Sequence, residues 1–469
     1  MSRIEHLAPE QWRASIERAL ADGARFGGAW ASGTGASASW RVMMHSAEAP
    51  RVLSCEAGSG ELESIVDLVE AAGWDEREAH DLHGLRFDGH SPLRALAAHP
   101  QEPARWMTPV TGPGVHQVAV GPIHAGVIES GHFRFHVVGE RILAVDLRLF
   151  YKHRGLERAA EGLPAADALA YAARACAACS VTNTVAYAQA VESALGLAPG
   201  RALRVERTLL LELERLYNHL HDIGAVCAGV GYAPGSMAFA ALKDRAQQLN
   251  LRAFGHRFLF GTVRVGGGAA ELDPSRRDAA LGSLRELRAD AAAAWRELEF
   301  TGSLQARLDG IGLLDADAAR RLGAVGPAAR AAGIREDVRS ESPGLAYDAF
   351  RPAQIAAPGG DVAARVRIRA SELEATCELL EELLAGPPGP GRASGGGAGS
   401  PLGVARVESP RGATMCAVEL DGGRVARLHL RTGSYANWPA LAHATAGGLL
   451  PDFPLINKSF ELCYACADR

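Results

Sequence analysis

The chain has 469 residues, 48% of them hydrophobic and 22% charged, proportions that suit a globular protein with a sizeable core and exclude fibrous or disordered architectures. A formal charge of -5 gives no electrostatic footprint for nucleic acid or an anionic membrane surface, and no stretch reaches the roughly 18 apolar residues of a spanning helix. The length predicts two or three domains of about 150 residues each.

Residues 1 to about 100 open with a helical pattern and close on WDEREAHDLHGLRFDGHSPLR, from Trp74 to Arg94. By residue type alone this is a solvated charged helix running into a loop. The order of Glu78, Asp81, Gly84, Phe87, His90, Leu93 and Arg94 resembles instead the signature of the 30 kDa family of respiratory complex I. Between Ala98 and Gly114, prolines and glycines without periodicity mark a connection. The expected division is 1–100, a linker 101–118, and 119–469.

Alternation on both sides of Gly139-Glu140 predicts a hairpin. In ALRVERTLLLELERLYNHLHDIG, Leu209, Leu213, Leu216 and Leu220 recur at helical spacing and predict a core-facing stripe, with Gly224 as the stop. GPPGPGRASGGGAG, from Gly386 to Gly399, predicts a flexible surface loop. Three strands, VARVES, TMCAVEL and RVARLHL, are expected around the Asp421-Gly422-Gly423 turn.

Eight cysteines are too few and too unevenly spaced for a disulfide scaffold in a chain this long. Four form two CxxC pairs, Cys176/Cys179 and Cys463/Cys466, whose spacing puts both sulfurs of a pair on one helix face. A helix N-terminus favours the thiolate that binds metal. A zinc ribbon places its pairs about 15–20 residues apart, and a thioredoxin-like redox pair accounts for one pair, not two. Inert buried thiols better describe Cys55, Cys227, Cys377 and Cys416. Four thiolates meeting at a soft metal is the better reading of the two pairs.

The words around the pairs, RxCxxC before a helix and a final CxxCxxR, resemble the large subunit of NiFe hydrogenases. The resemblance is in particular to the membrane-complex branch, which is related to the 49 kDa polypeptide of complex I. The match extends through GPIHAGVIESGHFRF, YKHRGLER, LLLELERLYNHLHDIGA, AAGIREDVR, VESPRGA, NWPAL and PDFPLINKSFELCYACADR. It implies an α+β fold: a small α+β N-terminal domain, then a mainly α-helical domain with peripheral β-hairpins. It also implies a nickel–iron centre with cyanide and carbon monoxide on the iron, where dihydrogen is interconverted with protons and electrons. Carried over by position, Cys176 and Cys463 are terminal ligands, and Cys179 and Cys466 bridge to iron.

Arg411 matches the arginine above the open metal position, and Glu129 an acid that relays protons from a bridging-side thiolate. His124, Pro410, Asn183 and Glu461 match positions around the ligands. Asn183 stands where a histidine is common, Ala177 where glycine is usual, and Glu461-Leu462 where Asp-Pro precedes the second pair. The complex I relatives lack the four cysteines, so their presence favours hydrogenase over the alternatives, an NADH-quinone oxidoreductase component of the fused 30 kDa and 49 kDa type or a non-catalytic paralogue. No cysteine set remains for an iron–sulfur cluster, so the resemblance implies an iron–sulfur small subunit as partner. It further implies membrane-arm subunits and a peripheral location on the cytoplasmic side of the cell membrane.

Overall fold

The computed structural model describes residues 3–46, 50–124, 128–268, 272–341, 344–386, 391–395 and 397–469. Near the N-terminus, strands Arg3–Leu7, Arg25–Ser32, Ser39–His45 and Arg51–Glu56 form one sheet. The first strand pairs in parallel with the fourth, and the other pairings are antiparallel. Helix Pro9–Ala21 starts on a proline, which suits a first turn whose N–H has no helical partner. Its buried Trp12, Ile16 and Ala19 share one face and pack with Trp40, Val42 and Leu53 of the sheet.

Helix Gly73–His83 ends where Gly84 takes a left-handed φ of 72°. Its acids do not form a solvated face: Asp75, Glu76 and Glu78 are buried. Glu76 accepts from Ser64 Oγ at 2.8 Å and Ile65 N at 2.9 Å, and His90 Nδ1 lies 2.7 Å from it. Asp81 accepts from the N–H groups of Leu96, Ala97 and Ala98 at 2.6, 2.8 and 3.0 Å. These carboxylates satisfy backbone donors of irregular segments that secondary structure leaves unpaired.

The hairpin expected around Gly139-Glu140 is present as His132–Val138 and Arg141–Arg148. A third strand, Val115–Val120, completes its sheet and begins inside the stretch read as linker. Phe133 and Phe135 on this sheet pack against Trp438, Phe453 and Tyr464, so the C-terminal helices rest on it. A second three-stranded sheet, Leu402–Ser409, Gly412–Asp421 and Arg424–Arg431, matches the expected strands. Its Leu402, Val404, Met415 and Ala417 pack with Trp30, Met43 and Val52 of the N-terminal sheet. The Gly386–Gly399 stretch lies partly outside the described residues; within it, Ala393–Gly395 pairs with Leu197–Pro199.

Helix Arg201–Gly229 runs through the middle, packed against helices Ala233–Phe254 and Val362–Ala385, with Pro274–Phe300 behind them. The leucine stripe is buried as expected, but Gly224 does not stop the helix, which continues for another turn. A Cβ at Gly224 would stand 3.0 Å from Phe239 Cβ, so the glycine allows a close helix–helix approach. The architecture is α+β.

Candidate metal centre

Cys176 follows the end of helix Ala165–Arg174, and Cys179 caps helix Ser180–Ala194. Cys463 and Cys466 sit at and within helix Tyr464–Asp468. The sulfurs of Cys176, Cys179 and Cys466 all lie within 4.8 Å of one another, and Cys463 Sγ is 3.1 Å from Cys176 Sγ. None forms a disulfide, and only Cys463 is more than marginally exposed. Hydrogen bonds from the other three thiols hold Cys176 well below the ordinary thiol value, and its thiolate in turn pushes Cys463 and Cys466 well above it. Four sulfurs thus share charge as one coupled unit, and a soft cation would displace the remaining protons.

One stripe of the central helix grips this cluster. Glu214 accepts from Val181 N at 2.7 Å, Thr182 N at 3.0 Å and Thr182 Oγ1 at 2.5 Å, anchoring the helix that follows Cys179. Tyr217 Oη and Asn218 Nδ2 donate to the carbonyl of Ala178, between the first two cysteines, at 3.2 and 2.8 Å. Asn218 Oδ1 accepts from Arg411 Nη1, and Asp222 Oδ1 accepts from Arg411 Nη2 at 2.9 Å. Residues 214, 218 and 222 are spaced by four, which aligns them on one helix face. None of the three is among the residues that the sequence points to. The available signal is polar residues recurring every fourth position inside a leucine-rich helix.

Pro410 and Arg411 form the two-residue tip of the hairpin that joins Ser409 to Gly412. Gly412 has a φ of 118°, and a Cβ there would come within 2.6 Å of Gly326 N, so the tip is pressed onto neighbouring backbone. Arg411 is buried, and its Nε donates to Glu461 O at 3.0 Å. Burial works against its charge, yet Asp222, Cys179 and Glu461 lift it well above its usual value, so it is a fixed cation rather than a base.

Glu129 is half-buried; its Oε2 accepts from Ala465 N at 2.8 Å and lies 3.9 Å from Cys463 Sγ. The sulfur it faces is therefore one expected as terminal, not a bridging one. Asn183 is fully buried one turn beyond Cys179, and among the described residues neither its amide nitrogen nor its oxygen has a partner. Glu461 Oε1 lies 3.1 Å from His221 Nε2 and 3.7 Å from Lys458 Nζ, which turns it toward a more exposed polar cluster. His124 Nε2 lies 2.8 Å from Gly131 O and makes no hydrogen bond to the cysteines among the described residues. The remaining cysteines are dispersed and buried, and burial pushes Cys55 and Cys227 up to about 11 and Cys377 up to about 12.

Glu214 carries a pH prediction. Burial raises its carboxyl to about 7, against the three donors that favour the anion. The folded state then binds this proton more tightly than the unfolded chain. Its contribution to stability is complete below about pH 4 and is lost as the pH rises through 7. In the metal-free protein, the stability of the native chain relative to Glu214→Gln should fall by about 3 kcal/mol between pH 4 and 8. Urea unfolding of both proteins across that range measures it, and a pH-independent difference would remove Glu214 from this role.

The family model described as "Respiratory-chain NADH dehydrogenase, 49 Kd subunit" matches residues 230–394 and 398–469, and that of the 30 Kd subunit matches 31–113. Hydrogenase-4 component G of Escherichia coli (strain K12) is 32% identical over 442 residues, covering 88% of this chain and 77% of the relative. Formate hydrogenlyase subunit 5 of the same organism is 30% identical, covering 88% and 78%. Among solved structures, a chain of the membrane-bound sulfane sulfur reductase, an archaeal respiratory membrane complex, superposes with a TM-score of 0.71 at 26% identity. That superposition covers 76% of this chain and 99% of the other. With both family models in one chain and relatives matched over most of their length, the protein belongs to the complex I 49 kDa family, in the company of its membrane hydrogenase members and with a 30 kDa-type region fused in front.

Proposed function

We propose that the chain is the catalytic large subunit of a complex-I-like hydrogenase, with Cys176, Cys179, Cys463 and Cys466 holding a nickel–iron centre. The observation that carries the reading is the convergence of four unoxidised sulfurs from segments 287 residues apart, with an arginine fixed beside them. The donor set suits a soft, electron-rich metal. The unpartnered amide of Asn183, one helical turn from Cys179, fits a group that still needs a hydrogen bond. When bound, the centre would supply the site at which dihydrogen is split into protons and electrons.

The chain's own residues then have separable tasks. Arg411 presents a permanent positive charge and planar donors, oriented by Asp222, Asn218 and the Glu461 carbonyl. Glu129 exchanges a proton with the Cys463 sulfur, while the Ala465 N–H fixes its carboxylate. Asn183 and Glu461 tune the surroundings, Pro410 sets the arginine-bearing turn, and His124 is held against the Gly131 carbonyl.

Electrons leave through an iron–sulfur small subunit, because the remaining four cysteines are scattered through the core. Relatives belong to membrane-bound assemblies, and no helix among the described residues is long and apolar enough to cross a membrane. The relatives' assemblies support a place beside membrane-arm subunits, and a peripheral position on the cytoplasmic side of the cell membrane is part of this proposal. The division into 1–100, a linker and 119–469 belongs to the same proposal. Nickel and iron quantification on the purified complex, with infrared bands for cyanide and carbon monoxide, tests it. Stoichiometric metals with those bands are expected; full assembly without nickel would leave the quinone oxidoreductase reading.

A further inference from the structure

The N-terminal region meets the helix bearing Cys466 at a buried guanidinium. Helix Tyr464–Asp468 carries Cys466, and Arg469 follows it at three residues' spacing. Arg469 is buried and donates through Nη2 to Glu78 Oε2, through Nη1 to Glu157 Oε1 at 3.0 Å, and through Nη1 to Leu430 O at 2.7 Å. Its guanidinium also lies 4.9 Å from the Tyr435 ring centroid, and Tyr435 meets Trp74 edge-on at 5.5 Å. Glu78 and Trp74 both belong to helix Gly73–His83 of the N-terminal region.

Glu78, Glu157 and His429 lie close enough to resemble a cation site. However, Arg469 bridges the two carboxylates, and Arg427 Nη2 sits 3.1 Å from Glu157. Burial works against the Glu157 anion, but Arg469, His429 and Arg427 hold its carboxyl well below the usual range. The positive charge the cluster needs is already built into the chain.

We propose that Glu78 is a positioning residue for the metal centre: through Arg469 it fixes the helix that carries Cys466, making the fused N-terminal region part of the centre's support. This rests on the function proposed above only where metal is concerned. Without Glu78, Arg469 must share Glu157 with Arg427, leaving buried positive charge in excess, and the short helix attached to it is the element free to shift. A second ion pair across the same seam supplies the control. Arg41 Nη1 meets Glu419 Oε1 at 2.7 Å, joining the N-terminal sheet to the Leu402–Arg431 sheet, and among the described residues Arg41 makes no ion pair or hydrogen bond to the helix bearing Cys466.

The test compares E78Q, E78D and R41Q by the rate of thiol alkylation at Cys466 in the metal-free chain, read by mass spectrometry, and by the carbon monoxide infrared band in the complex. E78Q should raise the Cys466 alkylation rate at least about tenfold and shift or broaden the band, because the charge partner is lost. E78D, which keeps the charge, should restore most of the protection, and R41Q should leave both readouts near those of the unaltered protein. Should E78Q fail to accumulate as folded protein, R469K, which keeps the charge but loses the planar fork, is scored by the same readouts. Unchanged alkylation in E78Q, or equal increases in E78Q and R41Q, would overturn the proposal. An unaltered complex without nickel would instead overturn the proposed function, while the alkylation rates would still decide the role of Glu78.

Discussion

Replacing Cys176 by serine is expected to lower nickel occupancy at least about tenfold, because a hydroxyl is too hard and too weakly acidic to stand in for a thiolate. Cys176 is the informative position: the other three thiols donate toward it, and its own value is drawn far below that of a free thiol. Of the four sulfurs, this is the one at which the surroundings most favour the thiolate. Cys463→Ser should have the same consequence, since its sulfur is only 3.1 Å from that thiolate. Cys227→Ser and Cys377→Ser provide the contrast. Both thiols are buried away from the cluster and held protonated by burial, so metal content should stay near that of the unaltered chain. Inductively coupled plasma analysis of the four proteins, prepared in parallel, reads the result. Full nickel in Cys176→Ser, or its loss in Cys227→Ser, would mean that the ligands have been misassigned.

Glu129→Gln should retain nickel and the infrared signature while hydrogen–deuterium exchange activity drops about a hundredfold or more, the scale of a lost general acid–base group. The structure narrows why. Glutamine keeps an oxygen to accept the Ala465 N–H, so the backbone around Cys463 has no cause to rearrange. What disappears is the ability of Oε2, 3.9 Å from Cys463 Sγ, to take up and release a proton. Metal content and isotope exchange on one preparation separate three cases. Metals kept with exchange lost supports the relay, metals lost indicates a structural acid, and both kept removes Glu129 from the mechanism.

Much of the candidate site is legible in the sequence because its words are local. Each CxxC pair, the VESPRGA segment that carries Pro410 and Arg411, and the strands around Asp421-Gly422-Gly423 announce themselves within a dozen residues. The supports are harder to see, for a physical reason. Glu214, Asn218 and Asp222 sit between core leucines in a helix whose polar residues would ordinarily face water, and only tertiary packing encloses them. The same ambiguity hides the acids of the Trp74–Arg94 segment, which by composition belong on a surface. In place they satisfy backbone donors and meet Arg431 and Arg469. Gly224 reads as a stop because a glycine that ends a helix and one that admits a neighbouring helix look identical in a sequence.

The enclosure of helix Arg201–Gly229 also sets a timescale. Nearly all of its residues from Glu206 to Cys227 are buried, so there is no surface along which it can fray or open by itself. Its backbone amides should be among the slowest in the molecule to exchange with deuterated solvent, doing so only when the whole body of the protein unfolds. Because that helix holds both the Ala178 carbonyl and the Arg411 side chain, the geometry around Cys176, Cys179 and Arg411 has no low-cost local excursion available to it. Any adaptation during turnover must come from the short elements bearing Cys463, Cys466 and Glu129, and peptide-resolved exchange would show protection divided along that line.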